Sequence, residues 1–249
     1  MSRHKAAALH ITCSAAVALL VVAGMLFVWY PPPLFEALGA EGMVFIMVGV
    51  DVVLGPLVTW VIFSPTKRLS LLKLDLAIIA VLQLIALGYG VYVISEARPA
   101  YLLFVRDRFE VTSVDEIGPK EQAQATRPEF RSSPLFGPRL AAADIPKDPK
   151  EQLRVMMSGS AGVDLKTFPQ YYVPYETQIP LVLKKGRPLA VLRKHHPESK
   201  DALDKAIAKT GLAEDQLVFL PLRARKKDMS VLVDAKTGRI AGYAPLDPW

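Results

Sequence analysis

The stretch from Met43 to Phe63 reads MVFIMVGVDVVLGPLVTWVIF and holds one formal charge, Asp51. An α-helix rises about 1.5 Å per residue, so about 20 apolar residues cross the roughly 30 Å hydrocarbon core of a bilayer. A carboxylate in mid-membrane costs about 2.5–3.5 kcal/mol on insertion scales, which favours an Asp51 that is protonated, paired or facing protein. The stretch therefore predicts a membrane-spanning helix with one polar position that needs a partner.

Two further apolar runs lie on either side of it. Ala6 to Tyr30 and Leu76 to Ile94 contain no Asp, Glu, Lys or Arg. No small-residue cleavage site follows the first run, so we interpret it as an uncleaved anchor rather than a signal peptide. The fold class predicted is a membrane protein with three transmembrane α-helices, followed by a small α+β extracytoplasmic domain with antiparallel strands. The domains predicted are 1–95 in the membrane and 96–249 outside it.

The basic residues predict the orientation. Arg3 and Lys5 precede the first span, and a second basic group lies between the second and third spans at Lys67, Arg68 and Lys73. The intervening loop, 31–42, contains no Lys or Arg. The positive-inside rule then places the N-terminus in the cytoplasm. Three crossings place the C-terminal domain in the periplasm of a bacterial inner membrane.

The second and third spans each carry small and polar residues at helical spacing. The predicted partner-binding candidates are Asp51, Gly55, Thr59, Gln83, Ala86 and Gly90. Small residues let helix backbones approach closely, and polar side chains form hydrogen bonds between helices. Three interpretations are open: the stripes pack the three spans on one another, or one of them receives a transmembrane helix of another protein, or Asp51 belongs to a proton or ion pathway, which would need further ionisable groups at successive depths. Pro56 further predicts a kink in the second span.

The C-terminal part reads as alternating short elements. Strands are predicted at Tyr101–Val105, Arg108–Val114, Leu217–Leu222, Met229–Val233 and Arg239–Tyr243, and helices at Pro149–Met157 and Ser199–Thr210. A proline-rich segment from Gly118 to Pro149 is predicted to be a long loop. Gln178–Leu183 and Pro188–Leu192 are predicted to pair as a hairpin around Lys185-Gly186. Together these elements predict a small antiparallel sheet with a few helices.

The sequence offers little catalytic or metal-binding chemistry. Cys13 is the one cysteine and lies in an apolar run, which excludes an intrachain disulfide and a cysteine zinc cluster. His195 and His196 are adjacent, and Asp201 and Asp204 lie in the helix that follows; these four are the remaining candidates for a site. We predict no catalytic residue, no cofactor and no metal. A formal net charge of +6 is too mild to indicate nucleic-acid binding.

A set of short motifs resembles one known family. Val50-Asp51-Val52-Val53-Leu54-Gly55-Pro56 leads to Ser64-Pro65-Thr66-Lys67, and Leu74-Asp75-Leu76-Ala77 opens the third apolar run, which contains Gln83. Arg98-Pro99-Ala100-Tyr101 and Phe104-Val105-Arg106-Asp107-Arg108-Phe109 follow. Over residues 45–117 the chain resembles the type IV pilin accessory proteins of the TfpX/TfpZ type, and the resemblance is loose beyond them.

The resemblance implies an inner-membrane protein without catalytic residues that binds type IV pilin and assists its stability or its assembly into pili. Type IV pilin, membrane lipid and other pilus assembly proteins are the partners it implies. The spans would engage the apolar helix of pilin, and the outer domain would contact its globular head. Two alternatives from other classes stay open: a membrane-anchored periplasmic enzyme, and a stabilising subunit of another membrane complex.

Overall fold

The fold is that of a computed structural model, which describes residues 2–160 and 164–249. The chain divides into two compact units. The membrane unit comprises Met1–Trp29 and Gly39–Ala97, and the sheet domain comprises Tyr30–Leu38 and Arg98–Trp249. The sheet domain thus includes a short segment that lies between the first two apolar runs.

Three helices are long and apolar enough to cross a membrane, which confirms the predicted spans. They are Arg3–Val28, Ala40–Ile62 and Leu69–Glu96. The first is α1, and the short helix α2 follows at Leu34–Ala37. The second span consists of α3 (Ala40–Gly49), a π-helical turn (Val50–Leu54) and α4 (Gly55–Ile62), and the third is α5.

The second span lies at the centre of the membrane unit. α1 packs mainly along α4, and α5 packs against α3 and α4. Large apolar side chains of all three spans are exposed, among them Leu20, Ile46 and Leu82. Exposed apolar side chains around every span are what a bilayer would cover, whereas a water-soluble bundle would bury one stripe of each helix.

The sheet domain is built on an eight-stranded mixed sheet. Its strands are β1 (Pro99–Val105), β2 (Arg108–Ser113), β3 (Arg139–Ala143), β4 (Tyr172–Pro174), β5 (Arg187–Pro188), β6 (Leu217–Arg223), β7 (Met229–Asp234) and β8 (Ile240–Ala244). The order is β4-β3-β1-β2-β6-β7-β8, with β5 paired to β6. The predicted α+β class is confirmed. The pairings are mostly antiparallel, but β1 pairs with β3 and β2 with β6 in parallel.

Besides α2, the domain has five α-helices within the described residues. They are α6 (Pro119–Ala123), α7 (Pro149–Ser160), α8 (Ile179–Lys185), α9 (Leu189–His195) and α10 (Lys200–Thr210). α10 ends at Gly211, which adopts a left-handed conformation with φ +70°. This helix and α7 agree with the two helices predicted from the sequence.

The predicted loop from Gly118 to Pro149 is wrong in part. It contains α6 and β3, and β3 pairs along five residues with β1. Its sequence, Arg-Leu-Ala-Ala-Ala, lacks the β-branched and aromatic residues that mark strands. The strand forms because its alanines, Ala141 to Ala143, are buried. Tertiary packing therefore overrides weak local propensity.

The predicted hairpin of Gln178–Leu183 with Pro188–Leu192 is also wrong. Both segments are helices, α8 and α9, and only Arg187–Pro188 forms a strand. Pro180 lies in the first turn of α8, where its missing N–H costs no hydrogen bond. A short apolar run fits a buried strand and a helix equally well by periodicity, and here the helix forms.

The segment Tyr30–Leu38 is built into the sheet domain. The backbone N–H groups of Lys226 and Lys227 both donate to the carbonyl of Ala37, at 3.0 and 3.1 Å. Tyr30, Leu34 and Ala37 are buried, at 0%, 2% and 0% exposure. The segment therefore does more than connect two spans, because its backbone is hydrogen-bonded to the domain and its apolar side chains are buried.

Replacing Leu34 with alanine should destabilise the sheet domain by about 2–5 kcal/mol, the usual cost of truncating a buried leucine. Hydrogen exchange of the β6 and β7 amides in the detergent-solubilised chain measures this. The exposed neighbour Glu36, changed to alanine, is the matched control and should leave exchange unchanged. Equal exchange in both variants would mean that the segment lies outside the cooperative core.

Candidate partner-binding site in the membrane-spanning helices

Polar side chains from all three spans meet within the membrane unit. The ring of His10 in α1 lies between two partners: Nδ1 is 2.6 Å from Thr59 Oγ1, and Nε2 is 2.5 Å from Gln83 Oε1. The other end of the Gln83 amide, Nε2, donates to the backbone carbonyl of Asp51 at 3.1 Å. Gln83 thus links α5 to both α1 and the second span.

The carbonyl of Asp51 needs this donor because of the local backbone. In the π-helical turn the N–H of Gly55 donates to the carbonyl of Val50, five residues earlier. The next N–H in that register would come from residue 56 and reach the carbonyl of residue 51. Residue 56 is proline and has no N–H. An unsatisfied backbone group in hydrocarbon costs several kcal/mol. The hydrogen bond from the Gln83 amide avoids this cost at the carbonyl of Asp51.

Gly55 makes room for this interaction. A Cβ atom at residue 55 would overlap Nε2 of Gln83. Any other residue here would push the amide away from the Asp51 carbonyl. Gly55, Pro56 and Gln83 therefore form one arrangement, in which proline creates the unpaired carbonyl, glutamine pairs it and glycine allows the approach.

The Asp51 side chain is buried beside the polar cluster. It is 6% exposed, and its Oδ1 atom is buried without a hydrogen-bond partner among the described residues. It lines a cavity of about 220 Å³ between α1 and α5, together with His10, Ser14 and Gln83. The predicted need of Asp51 for a protein environment is met by burial between the spans.

An apolar groove runs between the second span and α5. Two cavities of about 280 and 220 Å³ form it, and they share Val50 and Ala86. Two glycines are among its lining residues: Gly90, packed against Met47, in one cavity, and Gly55, packed against Gln83, in the other. We call this surface the apolar groove, and its apolar lining suits contact with a further apolar helix.

The structure separates the six predicted residues into two sets. Asp51 and Thr59 face the polar cluster around His10. Gly55, Ala86 and Gly90 line the apolar groove, and Gln83 borders both. The contacts of Thr59 and Gln83 are packing contacts between the spans, and binding of a partner by any of the six residues stays a prediction.

His10 is not among the site residues predicted from the sequence. Its ring completes the polar cluster, yet in the sequence it is a single histidine in a run of apolar residues. The available signal is that an ionisable residue within a transmembrane segment marks a functional or structural site by default. Its partners, 49 and 73 residues away, follow from helix packing and not from any local pattern.

The candidates for metal or acid–base chemistry in the sheet domain have other contacts. His196 Nε2 lies 2.7 Å from the carbonyl of Asp247, and Asp204 pairs with Arg193 at 2.6 Å. Within residues 2–160 and 164–249, no three His, Cys, Asp or Glu side chains are grouped as metal ligands would be. The four candidates named from the sequence therefore do not converge on one site.

Relatives of the chain identify its family. Residues 1–39 match the family described as Fimbrial assembly protein FimB. A protein of Dichelobacter nodosus named "Fimbrial assembly protein, serogroup I" is 33% identical over 232 residues, which are 92% of this chain and 90% of that protein. The chain belongs to the fimbrial assembly protein family. The resemblance found from the residues is thereby confirmed.

Two further members of the fimbrial assembly protein family are similar to the chain. The serogroup E1 protein of the same organism is 32% identical over 232 residues, 92% of this chain and 90% of the relative. A serogroup C1 and C2 protein is 36% identical over 121 residues, 49% of this chain and 92% of its own length. No solved structure matches the chain.

A pair of substitutions tests the link between Pro56 and Gln83. Changing Gln83 to leucine should destabilise the membrane unit, because it leaves the carbonyl of Asp51 and the ring of His10 without their partner. In a Pro56→Ala background, residue 56 regains an N–H for the carbonyl, so the cost should fall by about 0.6–2 kcal/mol. Denaturant titration of the four proteins in mixed micelles measures this difference. An equal cost in both backgrounds would contradict the assignment of the Gln83 donor to the proline-freed carbonyl.

Proposed function

We propose that this protein is an inner-membrane accessory protein that binds type IV pilin and assists its stability or its assembly into pili. The observation that carries the proposal is the apolar groove, which lies open on the membrane unit of a fimbrial assembly family member. The relatives are named for fimbrial assembly. The substrate of such a protein is a subunit with an apolar helix that must be held in the membrane before it is assembled.

The physical basis for binding is close helix packing. Lipid tails are as apolar as leucine, so transmembrane helices associate through van der Waals contact and hydrogen bonds rather than through the hydrophobic effect. Ala86 offers a small contact point for the backbone of a partner helix, and exposed Ile46 and Leu82 lie on either side of it. The polar cluster around His10 fixes the spans that form the groove.

We further propose that the N-terminus is cytoplasmic and the sheet domain periplasmic, where it contacts the globular head of pilin. The basic bias of Arg3, Lys5, Lys67, Arg68 and Lys73 supports this orientation. The hydrogen bonds from Lys226 and Lys227 to Ala37 agree with three crossings in either orientation, because they require only that the first loop and the domain share one side of the membrane. Three spans meet that requirement.

The proposed function is non-enzymatic. An enzyme would need an acid, base, nucleophile or metal set that converges on one point, and His196 and Asp204 are engaged elsewhere. The other rival, a stabilising subunit of a different membrane complex, would use the same groove with a different helix. Identifying the molecule in the groove separates the two.

Filling the groove should weaken pilin binding. Ala86→Leu places a large side chain at the point shared by both cavities, and we expect recovery of pilin with the purified protein to fall at least tenfold, with fewer surface pili. Ala77→Leu is the matched control, since residue 77 lies nine positions earlier in α5, about 180° around the helix. Recovery of pilin at the wild-type level with Ala86→Leu would contradict the proposal. An equal loss of recovery with Ala86→Leu and Ala77→Leu would contradict it as well.

Reporter fusions test the orientation. A fluorescent protein that matures only in the cytoplasm, fused after Trp249, should be dark, and alkaline phosphatase at the same point should be active. Fused before Arg3, the fluorescent protein should be bright. A bright fusion after Trp249 would place the sheet domain in the cytoplasm and would remove the proposed contact with the head of pilin.

A further inference from the structure

The Asp51 carboxyl group is buried in the membrane unit without a full set of hydrogen bonds. Its Oδ1 atom has no hydrogen-bond partner within the part of the chain that the structure describes. The neighbouring polar groups are engaged elsewhere: the two ring nitrogens of His10 meet Thr59 and Gln83, and the Gln83 amide donates to the backbone carbonyl of Asp51. The carboxyl group therefore keeps an unused hydrogen-bonding position whether it is ionised or protonated.

The cavity of about 220 Å³ that Asp51 lines opens between α1 and α5. Both helices pack on the second span, and the hydrogen bond between His10 and Gln83 bridges them. Val17 of α1 and Leu84 of α5 also line the cavity, and they are 44% and 67% exposed. The cavity is thus open on the side that a bilayer would cover, and we call it the Asp51 pocket.

The depth of the Asp51 pocket restricts what can fill it. Asp51 is the central residue of the second span, Ala40–Ile62, which has 23 residues. At about 1.5 Å per residue it lies about 16 Å from each end of the span. Lipid headgroups begin about 15 Å from the middle of a bilayer, and acyl chains carry no hydrogen-bonding group. A partner for the carboxyl group must therefore come from a molecule that itself lies within the membrane.

We propose that the Asp51 pocket receives a hydroxyl or carboxamide side chain from a transmembrane helix of another protein, and that this side chain forms a hydrogen bond with the Asp51 carboxyl group. Hydroxyl and carboxamide groups donate and accept, so they match either protonation state of the carboxyl group. A cationic side chain is costly to bring to this depth. Ser14 of α1 and Ala80 of α5 are small residues on opposite sides of the pocket, and they let a further helix approach.

The chain's own hydroxyl and amide side chains favour another protein over a second copy as the occupant. Near the depth of Asp51 the spans carry four of them. Thr12, Thr59 and Gln83 are hydrogen-bonded within the chain, and Ser14 lines the pocket itself. The proposed pilin site is the apolar groove between the second span and α5, so the two sites are tested separately and the failure of one leaves the other untouched.

Model transmembrane peptides test the proposal on the full chain in phosphatidylcholine vesicles. The peptides consist of Leu and Ala with Lys at both ends, and they differ only at the central position, which is Asn, Leu or Lys. Energy transfer from a fluorescent protein fused after Trp249 to a dye on the peptide measures binding. We expect the Asn peptide to bind at least tenfold more tightly than the Leu peptide, because the two side chains have a similar shape and differ in hydrogen bonding.

Two variants of the pocket, each with a matched control, locate the binding. Asp51→Leu should abolish the preference for the Asn peptide. Asp75→Leu removes the other carboxylate of the third-span region, which is paired with Lys67 at 2.8 Å outside the pocket, and should change binding less than twofold. Ser14→Leu narrows the pocket and should weaken binding of the Asn peptide at least tenfold. Ala16→Leu enlarges an exposed residue about 200° around α1 and should leave binding unchanged.

A denaturant titration in mixed micelles separates binding from folding. Asp51→Leu should unfold at or above the wild-type midpoint, because it removes an ionisable group from hydrocarbon. Ser14→Leu leaves the carboxyl group in place, so its result holds even if Asp51→Leu lowers the midpoint.

Four results would overturn the proposal. The Asn peptide binds no more tightly than the Leu peptide, or the Ser14→Leu protein binds the Asn peptide like the wild type. Tighter binding of the Lys peptide than of the Asn peptide would replace the neutral group with a cation. Energy transfer between two differently labelled copies of the chain that Asp51→Leu abolishes would replace the other protein with a second copy.

Discussion

The Gln83 side chain connects all three spans, and the arrangement of the membrane unit depends on it. Its oxygen meets His10 of α1, and its nitrogen donates to the carbonyl of Asp51 in the second span. Within hydrocarbon there is no water to replace either partner. Proline at residue 56 makes the carbonyl available, and glycine at residue 55 lets the amide reach it. Three residues that look unrelated in the sequence thus serve one hydrogen bond.

This arrangement also explains why a groove remains beside α5. The amide holds α5 against the second span at the level of Gly55, and Met47 contacts Gly90 farther along. Between and around these points the two helices present small residues, such as Ala86, and leave concave apolar surface. The polar contacts position the helices, and the apolar surface is free for a partner. In the proposed function, the polar contacts stabilise the membrane unit and the apolar surface binds the partner.

Sequence reasoning succeeded where one physical signal dominates. Three long apolar runs predict three spans because membrane thickness sets their length. Strands such as β1 and β7 are predicted correctly because aromatic and β-branched residues favour strands. It failed at β3, whose Ala-rich sequence becomes a strand only through pairing with β1. It also mistook α8 and α9 for strands, since short apolar runs are ambiguous.

For the candidate site, the sequence predicts the small and polar stripes. It does not predict which of their residues face the polar cluster and which line the apolar groove. Asp51 and Thr59 turn towards His10, and Ala86 and Gly90 turn to the groove, because of how the spans pack. The burial of Tyr30–Leu38 in the sheet domain likewise depends on contacts across almost 200 residues. Long-range packing of this kind leaves no periodicity for a local pattern to reveal.

The most direct test of the account is a crosslinking map of the membrane unit in living cells. A photoreactive phenylalanine analogue is placed at Ile46 or Leu82 on the walls of the apolar groove, and at Leu20 on α1, which is equally apolar and exposed but lies outside the groove. After illumination, the account predicts a pilin adduct from Ile46 and Leu82 and none from Leu20. Equal adducts from all three positions, or an adduct from Leu20 alone, would contradict binding of pilin in the groove.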